Sequence, residues 1–394
     1  MRDFSVTLPE VRTPWERSFK ERCHDLSRAV RAGIKIVLMV YDAPNTSSFR
    51  YRVYNVKQWL EGCHIHIVYF YRYELDYVET QLDNIDLLVF ARTQWTIGIQ
   101  KVLDLAHMQG VPIVYDVDDI ICSLDKLPLV TNTLNVDIDN EVAYSFWSAG
   151  IGRGEMVAKQ CDAYVSTNPF LAQQLSLCFP GKPSLVIENS LNREQLEISE
   201  RVLAVKRAAH PDGEFLIGYF SGTPSHINDF KIVAPEILQI LKDFPQTRLI
   251  VVGFMDFPAE TQPMIEAGRV IFKPLVDFME LQAEMAAVDV SIVPLVDNDF
   301  TNCKSELKYF EASIVETLTL ATPIYTYAHS IRDGENGFLC RNGQWYQRLA
   351  EIIQRKVDVA SIVARAKDDC LSRYAGENFA QSAISVYGAL MDIA

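Results

Sequence analysis

The chain has 394 residues, of which 49% are hydrophobic and 22% are charged, enough apolar side chains for two cores and no sign of wholesale disorder. Its formal net charge of −14 disfavours a general nucleic-acid-binding protein, which normally carries a basic excess. The eight scattered cysteines form no C-x-x-C pair. This usage predicts a reducing compartment, no disulfide framework and no zinc site.

The amino-terminal stretch lacks an apolar signal core, and no run reaches the length of a membrane span, so the sequence predicts a cytoplasmic protein. Residues 12–31 are basic, with Trp15, Phe19 and Leu26 interleaved. This pattern suits either a helix docked on the rest of the protein or peripheral attachment at the inner face of the membrane. We expect a docking helix, within a helical extension over residues 1–30.

Short apolar runs then alternate with helical patterns, which predicts repeated β-α units. The first series predicts strands at 34–41, 65–70, 85–90, 111–115, 162–166 and 185–188. It also predicts helices at 50–61 and 141–160, and a helix after the third strand that ends at residue 109. A charged stretch over 192–213 predicts a helix and a linker. The second series predicts strands at 214–220, 248–252, 270–272, 290–293 and 324–327, with helices at 228–243, 277–287, 305–318, 343–355, 358–373 and 377–393.

Continuous apolar strands alternating with helices are typical of parallel sheets covered on both faces. The sequence therefore predicts an α/β protein of two doubly wound, Rossmann-like domains facing a cleft. The amino-terminal domain is expected over residues 31–205, joined by the last helix at 377–394. The carboxyl-terminal domain is expected over residues 206–376.

Ligands of such sheets bind beyond the carboxyl ends of the strands, where two loops carry suitable side chains. The loop after the first strand contains Ser48, Arg50 and Arg52, and arginine forks suit a diphosphate or an acidic acceptor. Packing of both arginines over neighbouring tyrosines is an equally good interpretation. The loop that starts at Ser221 contains Gly222, which permits close approach of the backbone to a phosphate.

The stretch K-S-E-L-K-Y-F-E (304–311) is predicted to begin a helix after another strand. Lys304 and Lys308 are four residues apart and share a face, and Glu311 lies near that face. Phosphates at the cationic end and a ribose hydroxyl pair at the carboxylate would match a nucleotide diphosphate. The alternative is a solvated amphipathic helix with an ordinary ion-pair ladder.

The stretch Y-D-V-D-D (115–119) ends a predicted strand in the amino-terminal half. Three carboxylates without further ligands make a weak magnesium site, so no metal is expected there. One aspartate could cap a helix instead. Asp118 or Asp119 could also contact an acceptor or act as a base, given hydrogen-bond reach.

The chain resembles GT-B fold glycosyltransferases of the large retaining group called family 4. The resemblance is carried by F-S-G-T-P-S-H-I-N-D-F (220–230), K-S-E-L-K-Y-F-E-A (304–312) and I-R-D-G-E-N-G-F-L (331–339). Y-D-V-D-D and S-F-R-Y-R-V (48–53) resemble stretches of one bacterial subgroup. The resemblance implies transfer of a sugar from a nucleotide-sugar donor to a glycan, lipid-linked or protein acceptor, in cell-surface polysaccharide synthesis or protein glycosylation, without a metal or other cofactor.

The resemblance also implies roles for individual residues. Glu311 matches the second glutamate of the family's E-x7-E motif, which usually binds the donor ribose. The loop Ser221-Gly222-Thr223 matches the family's phosphate loop, and His226 after it is implied to be functional. With the lysines, the implied donor site comprises Ser221, Gly222, Thr223, Lys304, Lys308 and Glu311.

Two departures from the family pattern concern the donor site. The first glutamate of the motif is Cys303 here, and the usual Gly-x-Pro after the motif is Glu316-Thr317-Leu318, which suggests a longer helix. These departures favour, as an alternative, a non-catalytic or partner-dependent module that binds nucleotide or glycan. A sugar-nucleotide 2-epimerase ranks lower, because its carboxylate and histidine set cannot be placed. A dinucleotide oxidoreductase is disfavoured, since no G-x-G-x-x-G follows the first strand.

Overall fold

The computed structural model describes residue 4 and residues 6–43, 47–208, 213–222 and 227–393. Two six-stranded parallel sheets form its framework, with strand orders β2-β1-β3-β4-β5-β6 and β12-β11-β10-β7-β8-β9. The strands of the first sheet are β1 (Lys35–Tyr41), β2 (Ile65–Tyr71), β3 (Leu87–Ala91), β4 (Ile113–Asp116), β5 (Ala163–Ser166) and β6 (Ser184–Val186). Those of the second are β7 (Phe215–Ser221), β8 (Thr247–Gly253), β9 (Val270–Lys273), β10 (Val290–Val293), β11 (Leu318–Ala321) and β12 (Phe338–Leu339).

The helices lie between these strands and cover both faces of each sheet. Those up to the end of the first sheet are α1 (Phe19–Ala32), α2 (Ser47–Phe49), α3 (Asn55–Trp59), α4 (Leu75–Glu79), α5 (Ile97–Gln109), α6 (Leu127–Thr133), α7 (Glu141–Ala158) and α8 (Pro169–Cys178). The others are α9 (Arg193–Ala208), α10 (Ile227–Asp243), α11 (Gln262–Glu266), α12 (Glu280–Ala287), α13 (Asp299–Asn302), α14 (Leu307–Ser313), α15 (Tyr325–Ser330), α16 (Trp345–Ile353), α17 (Val359–Tyr374) and α18 (Gly376–Met391). The predicted α/β architecture of two doubly wound sheets is confirmed.

Burial on both faces explains why these strands are almost uninterrupted apolar runs. Six of the seven residues of β1 are buried, because helices pack against either side of the first sheet. The last helix, α18, returns to this sheet and buries Phe379, Ile384 and Tyr387 in the same apolar cluster as Val37 of β1. The chain thus crosses from the second sheet back to the first through α17 and α18.

The strand order places a switch point in each sheet, where neighbouring strands lead away in opposite directions. In the first sheet this point lies between β1 and β3, which pair from Val37 with Leu87 to Val40 with Phe90. In the second it lies between β10 and β7, which pair from Val290 with Ile217 to Ile292 with Tyr219. Loops that follow these strands diverge and leave a crevice at the carboxyl edge of each sheet.

The basic segment near the amino terminus forms a helix only in its second half. Helix α1 begins after Ser18, whose side chain makes a capping box with Glu21, and ends at Gly33 with a φ of 64°. Arg22 of α1 is buried and donates to both carboxylate oxygens of Glu74, at 2.6 Å each. This helix therefore docks on the first sheet, beside β2. The residues before it are irregular, with bends at Glu10 and Arg12 and a turn in which the Glu16 N–H donates to the Thr13 carbonyl at 2.9 Å.

Two predicted elements around residue 318 are wrong. The helix expected over 305–318 ends at Ser313, and Glu316 has a φ of 52°, so the helix is not longer than in the family pattern. The next strand is β11 at Leu318–Ala321, whereas the stretch predicted as a strand at 324–327 belongs to the start of α15. The left-handed turn at Glu316 allows the chain to reverse and enter the sheet beside β10.

Candidate functional site

A cavity of about 710 Å³ lies between the carboxyl edges of the two sheets. This volume is within the range of roughly 300–1,000 Å³ found for small-molecule sites. The walls come from the loops that follow the strands and from the irregular segment before α1. The residues that line it include Trp15, Ser48, Arg50, Tyr51, Asp118, Asp119, Asn189, Gly222, Leu275, Val276, Phe278, Leu281, Lys304, Ser305, Lys308, Glu311 and Tyr327.

Two lysines form a cationic wall at the switch point of the second sheet. Lys304 lies in the turn before α14 and Lys308 lies in the first turn of this seven-residue helix. Burial lowers the pKa of Lys308 to about 8, despite the opposing charges of Asp229 and Glu311. Within the described residues Lys308 makes no ion pair, and its ammonium lies 5.7 Å from the centre of the Tyr219 ring. A desolvated ammonium without a carboxylate partner is well suited to an anionic ligand.

Glu311 lies on the same helix, almost one turn after Lys308, and is buried. Its Oε1 accepts hydrogen bonds from the Tyr51 hydroxyl and from Nε2 of Gln195, the latter at 3.3 Å. Arg50 approaches the same oxygen to 3.6 Å. The second oxygen, Oε2, has no hydrogen-bond partner in the described part of the chain. The carboxylate is thus oriented by one oxygen and can accept from a ligand hydroxyl through the other.

The two arginines predicted together have separate positions. Arg50 lines the cavity, with its guanidinium 4.1 Å from the ring centre of Tyr51 and 4.6 Å from that of Phe278. Its Nη1 is buried and has no hydrogen-bond partner among the described residues. Arg50 thus lies in the cavity wall as expected, whereas this nitrogen is shielded from the cavity.

The structure places Arg52 outside the cavity, contrary to expectation. Its side chain is fully buried and donates to both carboxylate oxygens of Asp116, at 2.7 and 2.9 Å. It also donates to the carbonyl of Ile187 and to Asn189. These contacts tie the helical segment after β1 to the ends of β4 and β6, so Arg52 is a structural residue.

Asp118 and Asp119 line the opposite wall and belong to a charged network. Burial on its own would raise the pKa of Asp118, but the charge of Arg92 and the hydrogen bond from Ser48 at 2.7 Å hold it below its ordinary value. Asp119 lies 3.5 Å from Arg92 and 3.5 Å from Lys304. The network brings Ser48 into the site and connects the acidic wall of one domain to the cationic wall of the other.

The phosphate loop predicted from Ser221 onward is described only in part. Ser221 is buried at the end of β7, and Gly222 lines the cavity. A Cβ at Gly222 would meet no atom of the described residues within 4 Å, so these residues leave space beside its backbone. Thr223 and His226 lie outside the described residues.

Cys303 cannot take the place of the family's first glutamate. It is fully buried and packs in the apolar cluster of the first sheet. Burial raises the pKa of its thiol well above the ordinary value. Its backbone carbonyl accepts a hydrogen bond of 2.9 Å from Asn168. The position where the family carries a carboxylate is a contact between the domains in this protein.

Several lining residues were not predicted. Ser305 lies between the two lysines and accepts a hydrogen bond of 2.8 Å from Asn189. Tyr51 lies between the two arginines, and Trp15 and Phe278 pack together with ring centres 5.6 Å apart. The position of Ser305 within the motif could have identified it. Nothing in the sequence connects Trp15 to Phe278, because that contact depends on how the two domains meet.

The described ranges contain neither a candidate metal cluster nor a candidate membrane-spanning helix. No three His, Cys, Asp or Glu side chains there lie together as a metal ion would require. None of the helices in that part of the chain is both long and apolar enough to cross a bilayer.

Known proteins resemble this chain over the regions that form its two sheets. Residues 214–358 match the family model described as glycosyl transferases group 1. No curated protein sequence matches the chain. The matched range contains β7 to β12, both lysines of the cationic wall and Glu311.

Solved structures resemble the whole chain. HepE of Anabaena, in complex with UDP and glucose, aligns with a TM-score of 0.57 and 17% identity over 90% of this chain and 100% of its own. A glycosyltransferase of Rickettsia africae aligns at 0.61 and 13% over 91% and 99% of the two chains. Sucrose-phosphate synthase of Thermosynechococcus elongatus aligns at 0.58 and 13% over 91% and 100%. The chain thus has the two-domain GT-B fold, and its residues 214–358 match the glycosyl transferases group 1 model.

Proposed function

We propose that the protein transfers a sugar from a UDP-sugar to a glycan, lipid-linked or protein acceptor, with retention of the anomeric configuration. The observation that carries the proposal is the placement of Lys308 and Glu311 in one cavity, on one helix turn, each with unused hydrogen-bonding capacity. A cation and a carboxylate at this spacing match the diphosphate and the ribose of one nucleotide. UDP is the nucleotide favoured, because HepE binds it in the same fold.

The leaving diphosphate is the group that most needs stabilisation, since its charge increases as the bond to the anomeric carbon breaks. Lys304, Lys308 and Arg50 supply positive charge around the cavity, and Gly222 leaves room for a phosphate beside the backbone. These charged side chains are already in position around the cavity before the ligand binds, so little reorganisation accompanies the reaction. The proposal requires no metal ion; activity in the presence of EDTA tests that part.

The acceptor is proposed to enter along the acidic wall. Asp118 is held in its ionised form by Arg92 and Ser48, which suits it to position a hydroxyl. Asp119 has two cations at the longer distance of 3.5 Å and is the better candidate to receive a proton. A glycan acceptor would bring hydroxyls to both carboxylates. A role in cell-surface polysaccharide synthesis or in protein glycosylation, on the cytoplasmic side of the membrane, is part of this proposal.

A second candidate function is a non-catalytic module that binds nucleotide or glycan. The burial of Cys303 favours it, because this position cannot hold the sugar ring as the family's glutamate does. Arg50 and Ser305 line the cavity nearby and could replace those contacts. The two candidates differ in whether a donor is consumed.

The experiment has two steps. Calorimetry with UDP, GDP, dTDP and CMP identifies the nucleotide, with UDP expected to bind most tightly. If none of them binds, the transferase and a nucleotide-binding module both fail, and a glycan-binding module is left. Incubation with a panel of UDP-sugars and glycan acceptors then measures released UDP, and NMR reads the anomeric configuration of the product. UDP released together with an α-linked product from an α-linked donor supports the retaining enzyme. Binding without consumption of any donor supports the module.

A further inference from the structure

Helix α7 is apolar on two opposite faces, and only one of them is covered within the described part of the chain. Its inner face buries Val157 and Ala158 in the apolar cluster of the first sheet. Its outer face carries Val142 and Phe146, which are 80% and 73% exposed, and Met156, which is 44% exposed. A helix that is apolar all round is normally packed on all sides. The outer face of α7 therefore indicates a partner that the single chain does not supply.

The exposed residues of this outer face form a regular stripe. Val142, Phe146, Ala149, Arg153 and Met156 follow one another at steps of four, three, four and three residues, which places them along one side of the helix. All five are exposed, and Arg153 alone is charged, whereas the solvated side of a surface helix is normally rich in charged residues. Single exposed apolar side chains are ordinary, but an ordered row of them is typical of an interface.

Two side chains border the stripe without covering it. A Cβ at Gly152 would lie 3.6 Å from Leu124, and one at Gly150 would lie 3.5 Å from Gln94. These glycines lie on opposite flanks of the stripe, so one flank is apolar and the other polar. The centre of the stripe is Ala149, whose small side chain lets a second helix approach closely.

The charges at the two ends of α7 have opposite signs. Asp139 and Glu141 lie at its start and are exposed. Arg153 and Lys159 lie toward its end, where Lys159 also pairs with Glu155 of its own helix at 2.5 Å. A second α7 in the antiparallel direction would place each acidic end beside a basic end and would oppose the two helix dipoles favourably. A parallel copy would bring like charges together.

An antiparallel pair with its two-fold axis at Ala149 gives the apolar residues of the stripe suitable partners. Residues at equal distances from position 149 then meet, so Val142 lies opposite Met156 of the second copy. Phe146 lies opposite Gly152, where there is room for its ring. The stripe is therefore complementary to itself when one copy is reversed.

We propose that the outer face of α7 is a homodimer surface, on which a second copy of the chain packs its own α7 in the antiparallel direction. Such an interface is isologous, so the same stripe serves both copies and Asp139 of each lies beside Lys159 of the other. The acidic start of the helix disfavours a bilayer with anionic lipids as the occupant. The dimer does not depend on the proposed function, because no residue of the stripe lines the cavity.

Sedimentation equilibrium of the full-length protein over a series of concentrations measures the dissociation constant of the dimer. Phe146→Glu places a carboxylate in the interface twice and should raise this constant at least about tenfold. Tyr73→Glu is the matched control: Tyr73 is also an aromatic residue with 73% exposure, and it follows β2, which is three strands away from β4 in the first sheet. Its dissociation constant should equal that of the wild type.

Cysteine cross-linking tests the direction of the two helices without the loss of a large side chain. Ala149→Cys places a thiol at the two-fold axis and should form an intermolecular disulfide under mild oxidation. Val142→Cys should do so only together with Met156→Cys. The wild type, with its eight native cysteines, is the control. Cross-linking of Val142→Cys on its own would show a parallel pair and overturn the antiparallel arrangement.

A charge exchange tests the register of the pair. Asp139→Lys and Lys159→Asp each oppose like charges between the copies and should each raise the dissociation constant about three- to tenfold. The double variant restores opposite charges and should recover most of the wild-type association. Dissociation constants equal to the wild-type value in both single variants would overturn this register.

The remaining outcomes also decide the matter. A wild-type protein that stays monomeric at every concentration overturns the proposal. A dimer that Phe146→Glu leaves intact overturns it too, because its interface then lies elsewhere. Monomeric protein that sediments with phosphatidylcholine vesicles would overturn it in favour of a bilayer as the occupant of the stripe. None of these results bears on UDP binding, so the proposed function is tested separately.

Discussion

The Tyr51 hydroxyl donates a hydrogen bond to Glu311, so a residue of the amino-terminal domain orients a carboxylate of the other domain. Burial raises the pKa of Tyr51 well above its ordinary value, and the phenol therefore stays a neutral donor at physiological pH. The carboxylate that we propose to bind ribose thus has its orientation set before a ligand arrives. This arrangement joins the docking of the domains to the geometry of the nucleotide site.

Replacement of Glu311 by alanine should weaken UDP binding by at least about tenfold, as expected for loss of a charged hydrogen-bond acceptor. Calorimetry measures the change directly. Tyr51→Phe is the control, because it removes one orienting donor and retains the carboxylate; its effect on UDP affinity should be several times smaller. Unchanged affinity in Glu311→Ala would remove the basis for placing the nucleotide on α14.

Replacement of Arg52 by methionine should destabilise the fold without changing the site. Arg52 and Asp116 are both fully buried, and removal of one partner from such a pair typically costs about 3–5 kcal/mol. We expect a lower midpoint of urea unfolding and an unchanged Kd for UDP in the folded protein. The double variant Arg52→Met with Asp116→Leu should regain part of the loss. A large change in UDP affinity without a stability change would return Arg52 to the site.

The contrast between Arg50 and Arg52 shows what the sequence could and could not predict. Both follow a buried strand, and both were expected at the cleft. Their separation depends on a π turn over Arg50–Tyr54 and on Asp116, which is 64 positions away from Arg52. Sequence patterns report local periodicity, whereas the partner of a buried arginine is set by the way distant strands meet.

The sheet and the motif helix were predictable for a different reason. Continuous apolar strands are local signals, and K-S-E-L-K-Y-F-E carries its lysines and glutamate at helical spacing. The strand predicted at 324–327 was wrong because Ile324, Tyr325 and Thr326 favour strands, yet Ile324 is the N-cap of α15 and the next residues enter this half-buried helix. The chain turns at Glu316 with a positive φ, but without a glycine at that position. The sequence therefore carries no sign of the turn.

Introduction of the family's glutamate at position 303 should damage the protein and not improve it. Cys303→Glu would place a carboxylate in the apolar cluster of the first sheet, where burial disfavours its charged form. We expect a lower melting temperature and no gain in donor consumption. Cys303→Ala is the control for loss of the thiol alone and should be far less destabilising. Increased activity in Cys303→Glu would show that this position reaches the sugar.

The affinity for UDP should depend on pH through Lys308, whose pKa burial lowers to about 8. The ammonium loses its proton as the pH rises through this value, so UDP affinity should fall by at most about tenfold per pH unit above it. Below about pH 7.5 the dependence should flatten. Lys308→Arg keeps the charge over this range, and its Kd should vary much less. Equal pH profiles for wild type and Lys308→Arg would contradict a contact between Lys308 and the diphosphate.

The free energy of unfolding of the ligand-free protein should also depend on the protonation of Lys308. It should rise with pH over the range in which the affinity for UDP falls. Because the folded state releases the Lys308 proton near pH 8 and the unfolded state retains it up to its ordinary pKa of 10.5, the unfolded state binds more protons between these values. The contribution of Lys308 to the free energy of unfolding therefore rises with pH over the interval in which UDP affinity falls. Lys308→Met lacks this titration, so the difference in unfolding free energy between it and the wild type isolates the effect. A difference that stays constant with pH would mean that Lys308 keeps an ordinary pKa, and any pH dependence of UDP binding would then have to come from another group.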